Sequence, residues 1–169
     1  MQLFQKLALR VFGLLQSRER KQEELSTAID DANVEAVQTA LLKGAVPSIR
    51  DLEWLLINNN IKNHLTDQTF IKICQLYQNW EVNLNETVGF SGILKISGSH
   101  PTLIGTAIQE GFGPSITQFL VSSGVKPTGS DLNSAYQKEA DPRHLQILLE
   151  AGTDLNNPDK AELSEGGEI

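Results

Sequence analysis

One short unit occurs twice between Thr102 and Asn156, and it constrains the fold more than any other feature of the chain. The first copy runs from Leu103 to Val125 and the second from Leu132 to Thr153. Each opens with a short apolar segment holding a small residue, Ala107 or Ala135. A polar break follows (EGFGPS or EADPR), then a longer apolar segment (ITQFLV or LQILL) closed by Gly124 or Gly152. The alanine and the glycine stand 17 positions apart in both copies. Self-similarity on this scale is the signature of a repeat architecture.

Each apolar segment has the length of two to three helical turns. Leu145, Leu148 and Leu149 fall at helical spacing and predict one apolar stripe. Pro114 and Pro142 stand where a second helix begins, a position that needs no N–H donor. Gly124 and Gly152 stand just past its end, where a left-handed residue is wanted. Each copy therefore reads as helix, tight turn, helix, glycine stop. One such pair cannot bury its apolar face alone and needs a neighbour stacked on it.

An earlier copy follows the same grammar. LSTAIDDANVEAVQTALLKGA carries Leu25, Ala28, Val37, Leu41, Leu42 and Gly44. Gly44 is followed by AVPSIRDL and Gly124 by VKPTGSDL, so proline comes three residues after each glycine and Asp-Leu seven and eight after. Asp51 and Asp131 are expected to cap the next first helix, and Leu52 and Leu132 to begin its buried face.

NVEAVQTALLKGA and HLQILLEAGTDLN resemble the second helix and outgoing turn of ankyrin repeats. HPTLIGTA, His100 to Ala107, is a rearranged echo of that family's opening motif. The resemblance covers Leu25 to Asn156. It implies an all-α, ankyrin-like helix-turn-helix solenoid of about four degenerate repeats over residues 25–156. It also implies that partners contact the loop tips and the exposed face of the first helices. Carried over by position, these are Asp30 and Asp31 in the first copy, and Glu53, Ile57 and Asn58 in the second. Gln109 and Glu110 follow in the third, and Asn133, Gln137 and Lys138 in the last. Ile49, Arg50 and Ser130 lie in the preceding loops.

Residues 1–24 stand apart. Leu3, Phe4, Leu7, Val11, Phe12, Leu14 and Leu15 share one helical face, and the segment through Gln22 carries net +4 against −11 for the rest. Arg10 interrupts the apolar run and no small-residue cleavage site follows, so a signal peptide is not expected. The run is also too short and too charged to span a bilayer. Two readings follow: a helix capping the first repeat, which is the expectation adopted, or one that docks on a membrane surface or a partner through residues 1–21.

Residues 51–85 read as a stretched second repeat: DLEWLLI as first helix, NNNIKNHLTD as a polar insertion, QTFIKICQLYQNW as second helix, with Asn79 replacing the closing glycine. The closing positions are then 44, 79, 124 and 152, against a typical ankyrin spacing of about 33. The long third interval holds a Gly-rich insertion at residues 86–101, ETVGFSGILKISGSHP, read as a small hairpin or an extended finger, and as a surface insertion or a contact loop. Residues 157–169 are acidic and nearly free of large apolar side chains, so a loose tail is expected. At 169 residues the chain is long enough for one domain with an elongated core.

No constellation for catalysis emerges, and neither a metal nor a cofactor is expected. Cys74 is the sole cysteine and sits in the apolar FIKICQLY, so a buried thiol is expected. His64, His100 and His144 fall in three different repeats without ligand spacing. GFSGILKISG lacks the Lys-Ser/Thr ending of a phosphate loop, and Ser99 beside His100 is too slight a pattern for a nucleophile and its base. Trp54 and Trp80 are expected to pack rather than bind. The net charge of −7 argues against nucleic acid, since phosphate binding wants a basic stripe.

The expected function is non-catalytic: an adaptor or assembly factor, cytoplasmic and monomeric when free, that holds one protein partner with a basic surface. Two alternatives stand beside it: an immunity-type inhibitor blocking an enzyme or toxin, and a peripheral membrane adaptor acting through the N-terminal helix.

Overall fold

The computed structural model describes residues 17–85 and 102–153. The apolar run before Ser17, the insertion at 86–101 with its hairpin or finger and His100, and the tail at 157–169 lie outside the described residues. All regular structure among the described residues is helical, with no strand. The helices are α1 (Arg18–Asp30), α2 (Val34–Leu42), α3 (Ile49–Ile57), α4 (Asn59–Lys62), α5 (Asp67–Asn79), α6 (Leu103–Gln109), α7 (Pro114–Ser122), α8 (Gly129–Gln137) and α9 (Pro142–Glu150).

The chain divides into two compact units, Met1–Asn83 and Leu84–Ile169, where its length alone suggested one domain. In the first unit α1 packs on α2 and on α3, α2 on α5, and α3 on α4 and α5. In the second unit α6 packs on α7 and α8, α7 on α9, and α8 on α9. Each unit thus holds two helix pairs, with first helix against first helix and second against second.

The turns explain why the pairs form. Gly44, Gly124 and Gly152 have positive φ, as their place after a helix requires. At each of them the next residue's N–H reaches back to a carbonyl in the last turn, as in Val125 N to Leu120 O at 3.0 Å. The same closure ends the first helices at Ala32, Gly111 and Glu139, all with positive φ. In the stretched pair the left-handed residue is Glu81, φ 62°, and not Asn79, which is the last residue of α5. Helix α5 extends over 13 residues and runs through Asn79, so its stop falls two residues later than expected.

Helix starts are also chemically marked. Pro114 and Pro142 are the first residues of α7 and α9. Asp51 and Asp131 are not the caps of α3 and α8. Ser48 and Thr128 hold those positions, and each aspartate closes a capping box from the third helical residue. Helix α1 starts at Arg18 behind its cap Ser17, so Arg18 to Glu24, assigned by sequence to the N-terminal segment, form its first turns. The NNNIKNHLTD stretch is not wholly irregular: Asn58 caps α4, and Ile61 and Leu65 are buried from it.

The core follows the expected stripes at Leu41, Leu120 and Leu148, at most 2% exposed. Cys74 is buried as well, and burial pushes its thiol well above the usual range. The stripe expected on α9 is incomplete, since Leu148 is buried, Leu145 half-buried and Leu149 exposed.

Candidate partner-binding site

In the first unit the predicted contact residues gather where α1 and α3 lie side by side. Asp30 ends α1 and Asp31 caps it, both exposed. Trp54, on α3, donates its indole N–H to Asp30 Oδ1 at 2.8 Å. This tryptophan is 41% exposed, against the expectation that it packs. It lies off the stripe formed by Ile49, Leu52, Glu53 and Leu56, which recur at helical spacing and are all buried.

That stripe corrects two assignments. Ile49 and Glu53 are 3% and 7% exposed and face the interior rather than a partner. With Ser48 as cap, Ile49 is the first helical residue, and the phase set by Leu52 turns both side chains inward. Arg50 is exposed. Ile57 and Asn58 are half-buried, and Asn58 is engaged as the cap of α4, accepting the N–H of Asn60 at 3.0 Å.

An open groove of about 590 Å³ runs between α1 and α2. Its lining includes the small residues Ala28, Ala36 and Ala40 and the acidic Glu23, Glu24, Asp31 and Glu35. Of the two basic residues there, Lys43 pairs with Glu24 at 2.7 Å and Arg20 reaches the same carboxylate at 3.7 Å. The acidic side chains outnumber the basic ones, so the groove presents negative charge.

In the second unit Gln109 and Glu110 end α6, half-buried, and Ser130 is half-buried in α8. Asn133, Gln137 and Lys138 are exposed along and just beyond α8. Gln109 donates from Nε2 to Ser134 Oγ at 3.0 Å, joining α6 to α8 at the place where Asp30 and Trp54 join α1 to α3. Trp54 and Ser134 were missed by sequence reasoning. Their position two residues past Leu52 and Leu132 was the available signal; Trp54 is exposed there and Ser134 buried.

The half-buried Asp51 and the buried Asp131 hold helix starts and neighbouring helices together. Asp51 Oδ2 accepts the N–H of Ser48 at 2.9 Å and the hydroxyl of Tyr77 at 3.0 Å. Asp131 Oδ2 accepts the N–H of Thr128 at 2.7 Å, and its Oδ1 the hydroxyl of Thr102 at 2.9 Å. Burial holds both carboxyls above the usual range, with these hydrogen bonds pulling the other way. Burial first, and then Asp51, push the Tyr77 phenol far up. His144 Nδ1 lies 2.9 Å from Thr117 Oγ1, tying α9 to α7, while His64 is exposed. Among the described residues no group of three or more His, Cys, Asp or Glu side chains is placed to hold a metal ion. No helix among them is long and apolar enough to cross a membrane.

No protein-family model matches the chain, and no curated protein or solved structure matches it.

Proposed function

We propose that the chain is a non-catalytic protein-binding module built as an ankyrin-like helix-turn-helix solenoid, an adaptor or assembly factor that grips one partner with a basic surface. The single observation that carries this reading is the groove between α1 and α2, acidic at Glu23, Asp31 and Glu35 and continuous with the exposed end of α1 at Asp30. Backbone closures at Ala32 and Gly44 hold the two helices that form it, so little ordering entropy is lost on binding. The pairing of first helix with first helix and second with second is what a stacked repeat requires. Opposite charge across the contact would raise the encounter rate and select the partner.

The test is affinity purification with the full chain beside its Glu23→Lys/Asp31→Lys variant, with equal helicity checked by circular dichroism. The expected outcome is a basic protein retained by the wild type and lost by the variant. A protein held equally by both, or none held by either, overturns the reading.

A further inference from the structure

The groove between α1 and α2 holds charges that nothing in the described chain answers. Glu23, Asp31 and Glu35 line it, all exposed, and they enter no ion pair among the described residues. The two cations at the groove do not serve them, since Lys43 and Arg20 both turn to Glu24. The buried Ala28 and Ala40 and the half-buried Ala36 line the same groove with small apolar side chains, which leave room for larger ones. A ligand that fits carries bulky apolar side chains for the alanines and cations beside them for the carboxylates.

Residues 1–16 have that composition. Their charged side chains are Lys6 and Arg10, with no acidic residue among them, and Leu3, Phe4, Leu7 and Val11 supply the apolar side. At helical spacing Lys6 and Arg10 fall together along one edge of that side. Ser17, the cap of α1, joins this segment to the groove three residues before Arg20.

We propose that residues 1–16 of the chain itself occupy the groove, running back along α1 from Ser17. The lengths agree: the groove follows α1 from Arg20 to Asp31, about 17 Å, and residues 1–12 as a helix span about 18 Å. Gly13 to Gln16 then make the reversal, with Gly13 as its permissive point. In that antiparallel register Arg10 comes level with Glu23, and Lys6 lies between Glu23 and Asp31. The short tether sets an effective concentration on the order of millimolar, which a separate ligand must exceed or outbind. The consequence for regulation rests on the partner reading above: a basic partner enters by displacing these residues. Its apparent affinity is lowered by the fraction of chains whose groove is open.

The experiment is zero-length carbodiimide cross-linking of the unaltered full chain at about 10 μM, far below the effective concentration of the tether, with linkages located by peptide mass spectrometry. The expected result is an amide between Lys6 Nζ and the carboxyl of Glu23, Asp31 or Glu35 within one copy. Lys6 joined only to carboxyls elsewhere, the groove linkage found only between two copies, or no linkage from Lys6 each overturn the proposal. A decalysine peptide then probes displacement. Lys6→Gln/Arg10→Gln, with helicity equal by circular dichroism, should bind it at least about tenfold more tightly than wild type, and adding Glu23→Lys/Asp31→Lys should abolish the gain. Equal binding by wild type and the Lys6/Arg10 variant overturns self-occupancy. Decalysine held by neither, with the Lys6 linkage present, overturns the basic-partner reading and leaves residues 1–16 in the groove.

Discussion

Trp54 donates its indole N–H to Asp30 at 2.8 Å, and the corresponding contact in the second unit is made by Gln109 and Ser134 at 3.0 Å. One slot between adjacent first helices is thus filled by an aromatic–carboxylate pair in one unit and an amide–hydroxyl pair in the other. The first contact is exposed and the second part-buried, and each is worth about 0.5–1.5 kcal/mol. Asp30→Ala should lower stability by that amount and change the indole environment of Trp54, read by urea unfolding and tryptophan emission. An unchanged spectrum would show that the bond is not held in solution.

Leu41, Leu120 and Leu148 should each cost about 2–5 kcal/mol when replaced by alanine, because each is buried where neighbouring helices meet. Leu149→Ala, beside Leu148 but exposed, should cost less than about 0.5 kcal/mol in the free monomer. Chemical denaturation of the four variants separates the buried face of α9 from its outer face.

Glu81 holds a left-handed conformation that its side chain disfavours. Glu81→Gly should therefore raise stability by up to about 1 kcal/mol, the relief of strain exceeding the entropy glycine adds to the unfolded chain. At Gly124, φ is +87° and nothing lies within 4 Å of an added Cβ, so Gly124→Ala should lose about 1 kcal/mol through the backbone alone. Thermal unfolding of both variants checks the pair of opposite signs.

Acid should favour the fold at the two helix-start carboxyls that burial raises, Asp51 and Asp131, of which Asp131 is the more buried. Burial keeps the Asp131 carboxyl protonated to higher pH in the folded chain than the ordinary value of 3.8. Above 3.8 the folded state therefore binds more protons than the unfolded state, and this group's contribution falls as pH rises through its folded value. Asp131→Asn removes the titration but keeps an acceptor. From about pH 7 to about pH 4 wild type should gain stability relative to that variant, measured by urea unfolding at each pH. Asp141 acts in the opposite sense: Arg143 holds it at about 2, so its contribution is lost as pH falls below 3.8, and its exposure keeps that contribution small.

A chain beginning at Ser17 keeps the cap of α1 and removes the apolar N-terminal run. If that run caps the first pair, the shortened chain should unfold at a lower midpoint and aggregate more readily. An unchanged midpoint would assign the run to docking.

What was legible in the sequence was what carries a chemical mark. Gly44, Gly124 and Gly152 announce a left-handed turn, and Pro114 and Pro142 announce a helix start, so the second helices could be located by eye. Glu81 and Glu139 adopt the same left-handed backbone without any such mark, which is why the close of α5 was misplaced. Asp51 and Asp131 were recognised as helix-start residues, but their role was shifted by three positions because Ser48 and Thr128 were not counted as caps. The same shift sent Ile49 and Glu53 to the wrong face, since the phase of a short helix depends on its first residue. The exposure of Leu149 was invisible for another reason: it depends on what stands beyond a helix pair, and no local pattern records that.

The close packing of each helix on its partner and on the next pair has a kinetic consequence. Helix packing within a unit joins segments near in sequence, so refolding of the helix pairs should fall in the fast range of helical proteins, about microseconds to milliseconds, with the bonds of Asn85 to Gly124 O and Lys126 N, 39 and 41 residues away, closing later. Opening should likewise proceed pair by pair from an unsupported end, with amide exchange graded along each unit rather than uniform.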